Sequence, residues 1–356
     1  MSNPIVISID AMGGDHGPAV AAPGVSLAIE QLGSRAPRFI LHGDQARIEA
    51  ELTRLPAARV RCDIRHTDKL VSSDEKAAHA VRRGKGSSLW NCVESVRDGQ
   101  ARAAVSGGNT GALMAISKLL LRMMGELDRP AIIATWPTMR GRSAVLDVGA
   151  NVTSDAAQLV EFAIMGEAFH RAVHGVQNPT IGLLNVGSEE QKGHEEVREA
   201  HRLLREAGLD LAYHGFVEGD DIPKGTVDVV VTDGFSGNIA LKTAEGTARF
   251  LLQAVRDAFA SSPQSKLGAL IARPALKKMA ERLDTSLVNG GPLLGLNGIV
   301  VKSHGGTDAK GFANAIKVAM DLANSDYDKQ IERHMKQLAA VLPDSEADQA
   351  AAGSAH

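Results

Sequence analysis

The chain has little cysteine, few aromatics, almost no net charge and no long apolar run. Its two cysteines, Cys62 and Cys92, lack metal-ligand spacing, which argues against zinc and fits a reducing compartment. Aromatic residues are 3% of the chain and the formal charge is −3, so neither base stacking nor a basic footprint points to nucleic acid. No apolar stretch approaches the ~20 residues of a membrane span. The opening Met1-Ser2-Asn3-Pro4-Ile5 lacks a signal-peptide pattern, and a cytoplasmic protein is expected. Several catalytic signatures are missing too. No G-x-G-x-x-G follows the first strand, no glycine loop ends in Gly-Lys-Ser/Thr, and no Gly-x-Ser-x-Gly elbow occurs. Both cysteines fall in a strand or helix pattern rather than a loop, so no covalent nucleophile stands out.

What is present is an alternation of strand and helix signals. The 356 residues, 44% of them hydrophobic, suffice for one large α/β unit. Strands are read at Ile5 to Asp10, Arg38 to Gly43, Val60 to Arg65, Ala101 to Ser106, Thr180 to Asn185, Val227 to Thr232 and Gly298 to Val301. Ala131 to Trp136 and Ser143 to Asp147 read as paired strands around a turn. Helices are read at Ala19 to Leu32, Gly111 to Met124 and Asp155 to His174, with Ser154 or Asp155 as the cap of the last. The expected fold is a mostly parallel sheet flanked by helices on both faces, with residues 1–342 as one catalytic unit and a helical insertion near 246–284. The small polar segment 343–356 reads as a disordered tail.

Chemistry is concentrated where strands run into helices, the position at which α/β proteins place ligands. The most informative such loop is Thr232-Asp233-Gly234-Phe235-Ser236-Gly237-Asn238, with an acid, a hydroxyl and an amide between glycines. Asp10-Ala11-Met12-Gly13-Gly14-Asp15-His16 offers two acids, a histidine and paired glycines that permit close backbone approach. Ser106-Gly107-Gly108-Asn109-Thr110-Gly111 has the small residues of a backbone anion nest and reads as a phosphate or carboxylate site. Asp147-Val148-Gly149-Ala150-Asn151 reads equally as cap or site. In Asn185-Val186-Gly187-Ser188-Glu189-Glu190-Gln191-Lys192-Gly193, Ser188 and Lys192 are candidate anion ligands. Lys302-Ser303-His304-Gly305-Gly306 puts a candidate proton carrier, His304, beside Lys302. The set suits positioning a small anion against an electrophile and stabilising the charge that develops.

Taken in chain order over about residues 5–320, these loops resemble the bacterial acyl-[acyl carrier protein]:phosphate acyltransferase (PlsX) family. Asn289-Gly290-Gly291-Pro292-Leu293-Leu294-Gly295 is similar to that family's glycine-rich stretch but lacks a tyrosine before it. The resemblance implies transfer of a long-chain acyl group from acyl carrier protein to inorganic phosphate for phospholipid synthesis. It also implies a fold similar to the isocitrate and isopropylmalate dehydrogenases and phosphotransacetylase, and a homodimer. With phosphate as nucleophile, no cofactor or metal is called for. The backbone of Ser106 to Gly111 with Lys192 or Lys302 would then bind phosphate, Asp233 or His304 would manage its proton, and Ser236 or Asn238 would steady the carbonyl oxygen. Asp10, Gly13, Gly14, Asp15, His16, Asp147, Asn151, Asn185 and Ser188 complete the expected site.

Within the insertion, 264–283 is amphipathic. Leu267, Leu270, Ile271, Ala275, Met279 and Leu283 share a stripe, and five cations face one carboxylate, Glu281. Pro274 is expected to split it into two helices. Peripheral contact with an anionic membrane, docking of carrier protein and a dimer interface all fit this pattern. The competing activity is an NAD(P)- and metal-dependent β-decarboxylating dehydrogenase of the same fold, which would need a metal-binding acidic cluster and an arginine-rich carboxylate site. A non-catalytic lipid or carrier scaffold is the third reading, and it has no use for several anion loops.

Overall fold

The computed structural model describes residues 4–125, 127–282 and 289–339. The expected tail at 343–356, Met1 to Asn3 and Leu283 of the predicted stripe lie outside these residues, as does residue 284 at the end of the insertion. The first part of the chain runs β1 (Val6–Asp10), α1 (Pro18–Leu32), β2 (Arg38–Gly43), α2 (Gln45–Leu52), α3 (Pro56–Arg59), β3 (Cys62–His66), α4 (Ala77–Arg83), α5 (Ser88–Arg97), β4 (Ala103–Ser106) and α6 (Thr110–Leu121). Then follow β5 (Ala131–Pro137), β6 (Arg142–Leu146), α7 (Ala156–His174), β7 (Thr180–Leu184), α8 (Glu195–Glu206), β8 (Ala212–Val217), α9 (Asp221–Lys224), β9 (Val229–Val231), α10 (Gly234–Ala260) and α11 (Pro263–Arg282). The chain returns through β10 (Gly291–Leu294), β11 (Ile299–Lys302), α12 (Ala309–Ala323) and α13 (Tyr327–Ala339).

All strands join one sheet in the order β3-β2-β1-β4-β11-β10-β5-β6-β9-β7-β8. The pairings β3-β2-β1-β4-β11 are parallel, and so are β6-β9-β7-β8. Between these blocks lies an antiparallel seam, β11-β10-β5-β6. The expected mostly parallel sheet is therefore present. Ile7, Ile9, Val105, Val229 and Val231 are fully buried, as strands covered on both faces must be.

Local chemistry explains the helix ends. Asp155 and Gln158 form a capping box at α7, and Gly175 closes that helix with φ 72°. Pro18 occupies the first turn of α1, where its missing N–H costs nothing. Two readings need correcting. The third strand starts at Cys62 rather than Val60, because Pro56 opens the short α3, whose C-cap is Val60. Pro274 does not split the amphipathic segment, since α11 runs through it. The break falls instead between α10 and α11, where the Ser262 hydroxyl accepts from Ser265 N (3.0 Å) and Pro263 starts the new helix. An interior proline removes only one helical bond, to the carbonyl of the exposed Leu270, where water can replace it.

Candidate active site

The first block delivers three of the predicted loops to one place. Register pairs Asp10 with Ser106 and Ser106 with Lys302, so β1, β4 and β11 end level with one another. Ser106 Oγ donates to Asp10 Oδ2 (2.7 Å) and accepts from Gly108 N (3.0 Å), while Ser106 O accepts from Ser303 N (2.8 Å). The loops touch so closely that a Cβ on Gly13 would lie 2.5 Å from Asp10 Oδ2 and 2.7 Å from Gly108 N. Asp15 N donates to Gly305 O (3.0 Å), tying the first loop to the last.

This assembly has the makings of an anion site. Asn109 caps α6, its Oδ1 accepting from Ala112 N (2.9 Å). The backbone N–H groups of Asn109, Thr110 and Gly111 have no partner among the described residues, leaving them for an anion. Lys302 Nζ reaches Gly107 O (3.3 Å) and also bonds Ser303 O. Burial lowers the Lys302 ammonium to about 8, although Asp10 and Asp15 pull it up. Burial pushes the Asp10 carboxyl upward, and the hydroxyls of Ser106 and Ser88 pull it back. His304 is exposed, and its Nδ1 accepts from Gly306 N (3.3 Å), which puts the ring proton on Nε2. Partial burial, then Lys242 and Lys302, hold His304 below its ordinary value, so it is neutral at neutral pH.

The second block gathers a different set. Asp147 N donates to Thr232 O (2.9 Å), and Gly234 N to Asn151 O (2.8 Å). Asp147 is wholly buried, and its carboxylate is consumed. Oδ1 accepts from Ile132 N (3.0 Å), Gly149 N (3.2 Å) and Ala150 N (3.0 Å), and Oδ2 from Asn151 N (2.6 Å) and Nδ2 (3.0 Å). It is thus the brace of this edge, with nothing left for a ligand. Asn151 Nδ2 is likewise turned inward, to Pro130 O (2.9 Å). Asp233 caps α10, its two oxygens accepting from Ser236 N and Ser236 Oγ at 2.9 Å each. Asn238 is exposed over Gly149, with no hydrogen bond among the described residues.

Asn185, Ser188 and Lys192 form a third group that folds on itself. Asn185 Nδ2 donates to Lys192 O (3.1 Å), and Lys192 pairs with Glu189 at 3.0 Å. His16 stands exposed beside the first cluster. The two blocks communicate through α10. Asn238, Lys242, Glu245 and Arg249 fall on one stripe of that helix, and the last three act electrostatically on His304.

Glu245 and Arg249 escaped the sequence reading because they sit mid-helix, away from any loop signature. Asn289 was quoted only as part of a glycine stretch, yet its Oδ1 accepts from His304 N (2.9 Å) and its Nδ2 donates to Ser303 Oγ (2.8 Å). Among the described residues, no group of three or more His, Cys, Asp or Glu side chains converges as a metal site.

Comparison with known proteins fits this arrangement. The family described as "Fatty acid synthesis protein" matches residues 5–330. The phosphate acyltransferase of Caulobacter vibrioides is 66% identical over 341 residues, covering 96% of this chain and 94% of that one. That of Phenylobacterium zucineum is 58% identical over 342 residues, covering 96% and 97%. Among solved structures, a phosphotransacetylase from Streptococcus pyogenes shares the fold with a TM-score of 0.60 at 19% identity, over 91% of this chain and 95% of its own. A branched-chain phosphotransacylase from Enterococcus faecalis does so with a TM-score of 0.55 at 14% identity, over 90% and 99%. The chain belongs to the phosphate acyltransferase family.

The brace can be tested directly. Asp147→Asn presents an N–H to donors that need an acceptor, and should cost about 2–4 kcal/mol of stability in urea unfolding. A loss below about 1 kcal/mol would show that these five bonds do not hold the edge together.

Proposed function

We propose that this member of the phosphate acyltransferase family transfers a long-chain acyl group from acyl carrier protein to inorganic phosphate, forming acyl phosphate for phospholipid synthesis. The observation that carries the reading is the nest at Ser106 to Gly111 with Lys302 beside it: open N–H groups and one half-buried cation, the elements of an anion site. In the proposed step a phosphate oxygen forms a bond to the thioester carbonyl carbon. The carbonyl becomes an oxyanion, then re-forms as the carbon–sulfur bond breaks. The proton of hydrogen phosphate ends on the sulfur, so the reaction balances without a protein nucleophile or a redox partner.

Roles follow from which groups are free. Lys302 and the backbone of Asn109 to Gly111 would hold phosphate; Lys192, the alternative cation, is already paired with Glu189. His304, neutral with Nε2–H outward, would hand a proton to the leaving sulfur and recover one from phosphate. Asp233 is the alternative carrier, but both its oxygens already accept from Ser236. Since Ser236 is spent on that cap, Asn238 is the better donor to the oxyanion. Asp10, Gly13, Gly14 and Asp15 would shape the nest from behind, while Asn185 and Ser188 would support the loop that carries Lys192. No metal or cofactor enters this scheme. The dehydrogenase reading lacks its acidic cluster among the described residues, where Asp10, Asp147 and Asp233 serve separate loops.

The hairpin of α10 and α11 would carry a further contact. Phe250, Leu251, Leu267, Leu270 and Ile271 are between 49% and 77% exposed, more apolar surface than a free helix pair leaves in water. A second copy of the chain, giving a homodimer, and the anionic inner face of the membrane are the two occupants proposed, which would make this a cytoplasmic protein with peripheral attachment.

Palmitoyl-[acyl carrier protein] incubated with and without phosphate, trapping product with hydroxylamine, tests the reaction. Hydroxamate and free carrier thiol should appear only with phosphate, and their absence across several chain lengths would refute it. In the same assay kcat/KM for phosphate should fall as pH rises through about 8, where Lys302 loses its proton, and Lys302→Arg should flatten that fall. A profile unchanged in Lys302→Arg would remove Lys302 from phosphate binding.

Asp233→Ala should lower stability by only about 1 kcal/mol, the worth of a cap. Wild-type turnover in that variant would leave His304 as the proton carrier, and a large loss would restore Asp233. For the hairpin, Leu270→Glu should reduce flotation with anionic vesicles. Unchanged flotation would leave the second copy as the occupant, to be read by sedimentation.

A further inference from the structure

Beside the nest lies a basic surface that the reaction as proposed does not use. Between Lys76 and Lys85 the chain carries four cations, Lys76, Arg82, Arg83 and Lys85, and no carboxylate, in a protein whose formal charge is −3. All four are exposed, and none forms an ion pair among the described residues. Elsewhere on the surface Arg97, Arg202 and Lys224 are each held by two carboxylates. The nearest acids are already engaged: Glu75 with His79 at 2.5 Å, and Asp74 with the Ser72 hydroxyl at 2.7 Å.

This rim is fastened to the anion site by specific bonds. Asn109, the residue that caps α6, donates through Nδ2 to Ser73 O and Glu75 O at 2.9 Å each. The helix that bears Arg82 and Arg83, α4, packs on α6. At its far end Ser88 N donates to Lys69 O (3.0 Å), and the Ser88 hydroxyl faces Asp10. Leu70, 51% exposed, follows Lys69, whose Nζ donates to Lys85 O (2.8 Å), and adds an apolar point to the rim. The other basic face, on α11, makes its main contacts with α10 and has no comparable link to the nest.

We propose that Lys76, Arg82, Arg83 and Lys85, with Leu70 at their edge, form the surface on which acidic acyl carrier protein docks to present its thioester to the nest. The assignment rests on the reaction proposed above. Complementary charge raises the encounter rate and fixes orientation. A rim hydrogen-bonded to the proposed phosphate loop would bring the carrier's cargo to the nucleophile. It also separates the two basic regions by role, the rim for the carrier and the hairpin for another surface.

Fluorescently labelled acyl carrier protein bearing its prosthetic arm, titrated with the full-length protein and followed by anisotropy, tests this without relying on turnover. Arg82→Glu/Arg83→Glu should weaken binding by about tenfold or more and flatten its salt dependence. Lys76→Glu/Lys85→Glu, at independent exposed positions, should do the same and guards against a misfolded first variant. Lys266→Glu/Lys278→Glu on α11 should bind like wild type. If both rim variants bind the carrier as tightly as wild type, or only the α11 variant loses affinity, the proposal is overturned. Rim variants that lose anionic vesicles but keep the carrier would assign the surface to lipid and overturn it as well. A wild-type protein that binds carrier through the rim yet makes no acyl phosphate would sink the reaction and leave the docking surface standing.

Discussion

The candidate anion site is organised around Ser106. Its hydroxyl donates to Asp10 and accepts from Gly108 N, and its carbonyl accepts from Ser303 N, so three strand ends are fixed against one another by a single residue. None of these groups is exposed, which makes the arrangement stiff: Asp10 and Ser106 are at most 1% accessible. A buried acceptor without its donor costs about 1–3 kcal/mol, so the loops have little freedom to separate. That stiffness matters because an anion nest works by presenting N–H groups already in place, with no reorganisation left to be done when the ligand arrives.

The seam in the sheet explains why the predicted residues divide into groups. Parallel strands deliver their loops to one edge, and the first block does this for Asp10, Ser106 and Lys302. The antiparallel strands β10, β5 and β6 then reverse the direction, so Asp147, Asn185 and Thr232 emerge from a block that runs the other way. The helix α10 bridges the difference. It begins at the second cluster with the Asp233 cap and carries Lys242, Glu245 and Arg249 past His304.

Much of this was legible in the sequence. A β-branched or aliphatic run followed by glycines, hydroxyls and amides announces a strand end with a ligand loop, and the loops at Asp10 and Ser106 do meet as that pattern suggests. What the pattern could not separate is a carboxylate that serves a ligand from one that serves the backbone. Asp10, Asp147 and Asp233 look alike in sequence, each ending a buried strand. Only the partners distinguish them: Asp10 orients a serine, Asp147 gathers five donors, and Asp233 caps a helix. The continuous α11 was missed because a proline rule weighs one lost hydrogen bond, whereas the exposed surface of that helix lets water supply it. The short strand β10 was missed for a related reason. Its glycines and proline argue against a strand, but it sits in the seam, where a Cβ on Gly291 would lie 3.0 Å from Ile133 O.

Charge balance is what suits the proposed site to a small anion. Lys302 is half-buried beside the carbonyl oxygens of Gly107 and Ser303, and desolvation weakens its hold on its proton while Asp10 and Asp15 restore part of the loss. Those two acids are nevertheless held by their own neighbours, Asp10 by hydroxyls and Asp15 on the loop tied to Gly305, so neither closes an ion pair with the ammonium among the described residues. In the proposed reaction an incoming phosphate would supply what the lysine lacks, a close counter-ion that also accepts from the open N–H groups of α6. Binding then favours the charged lysine, and the charged lysine favours binding, each stabilising the other through the same contact. A compact anion with several acceptor oxygens would answer both the ammonium and the open N–H groups at once.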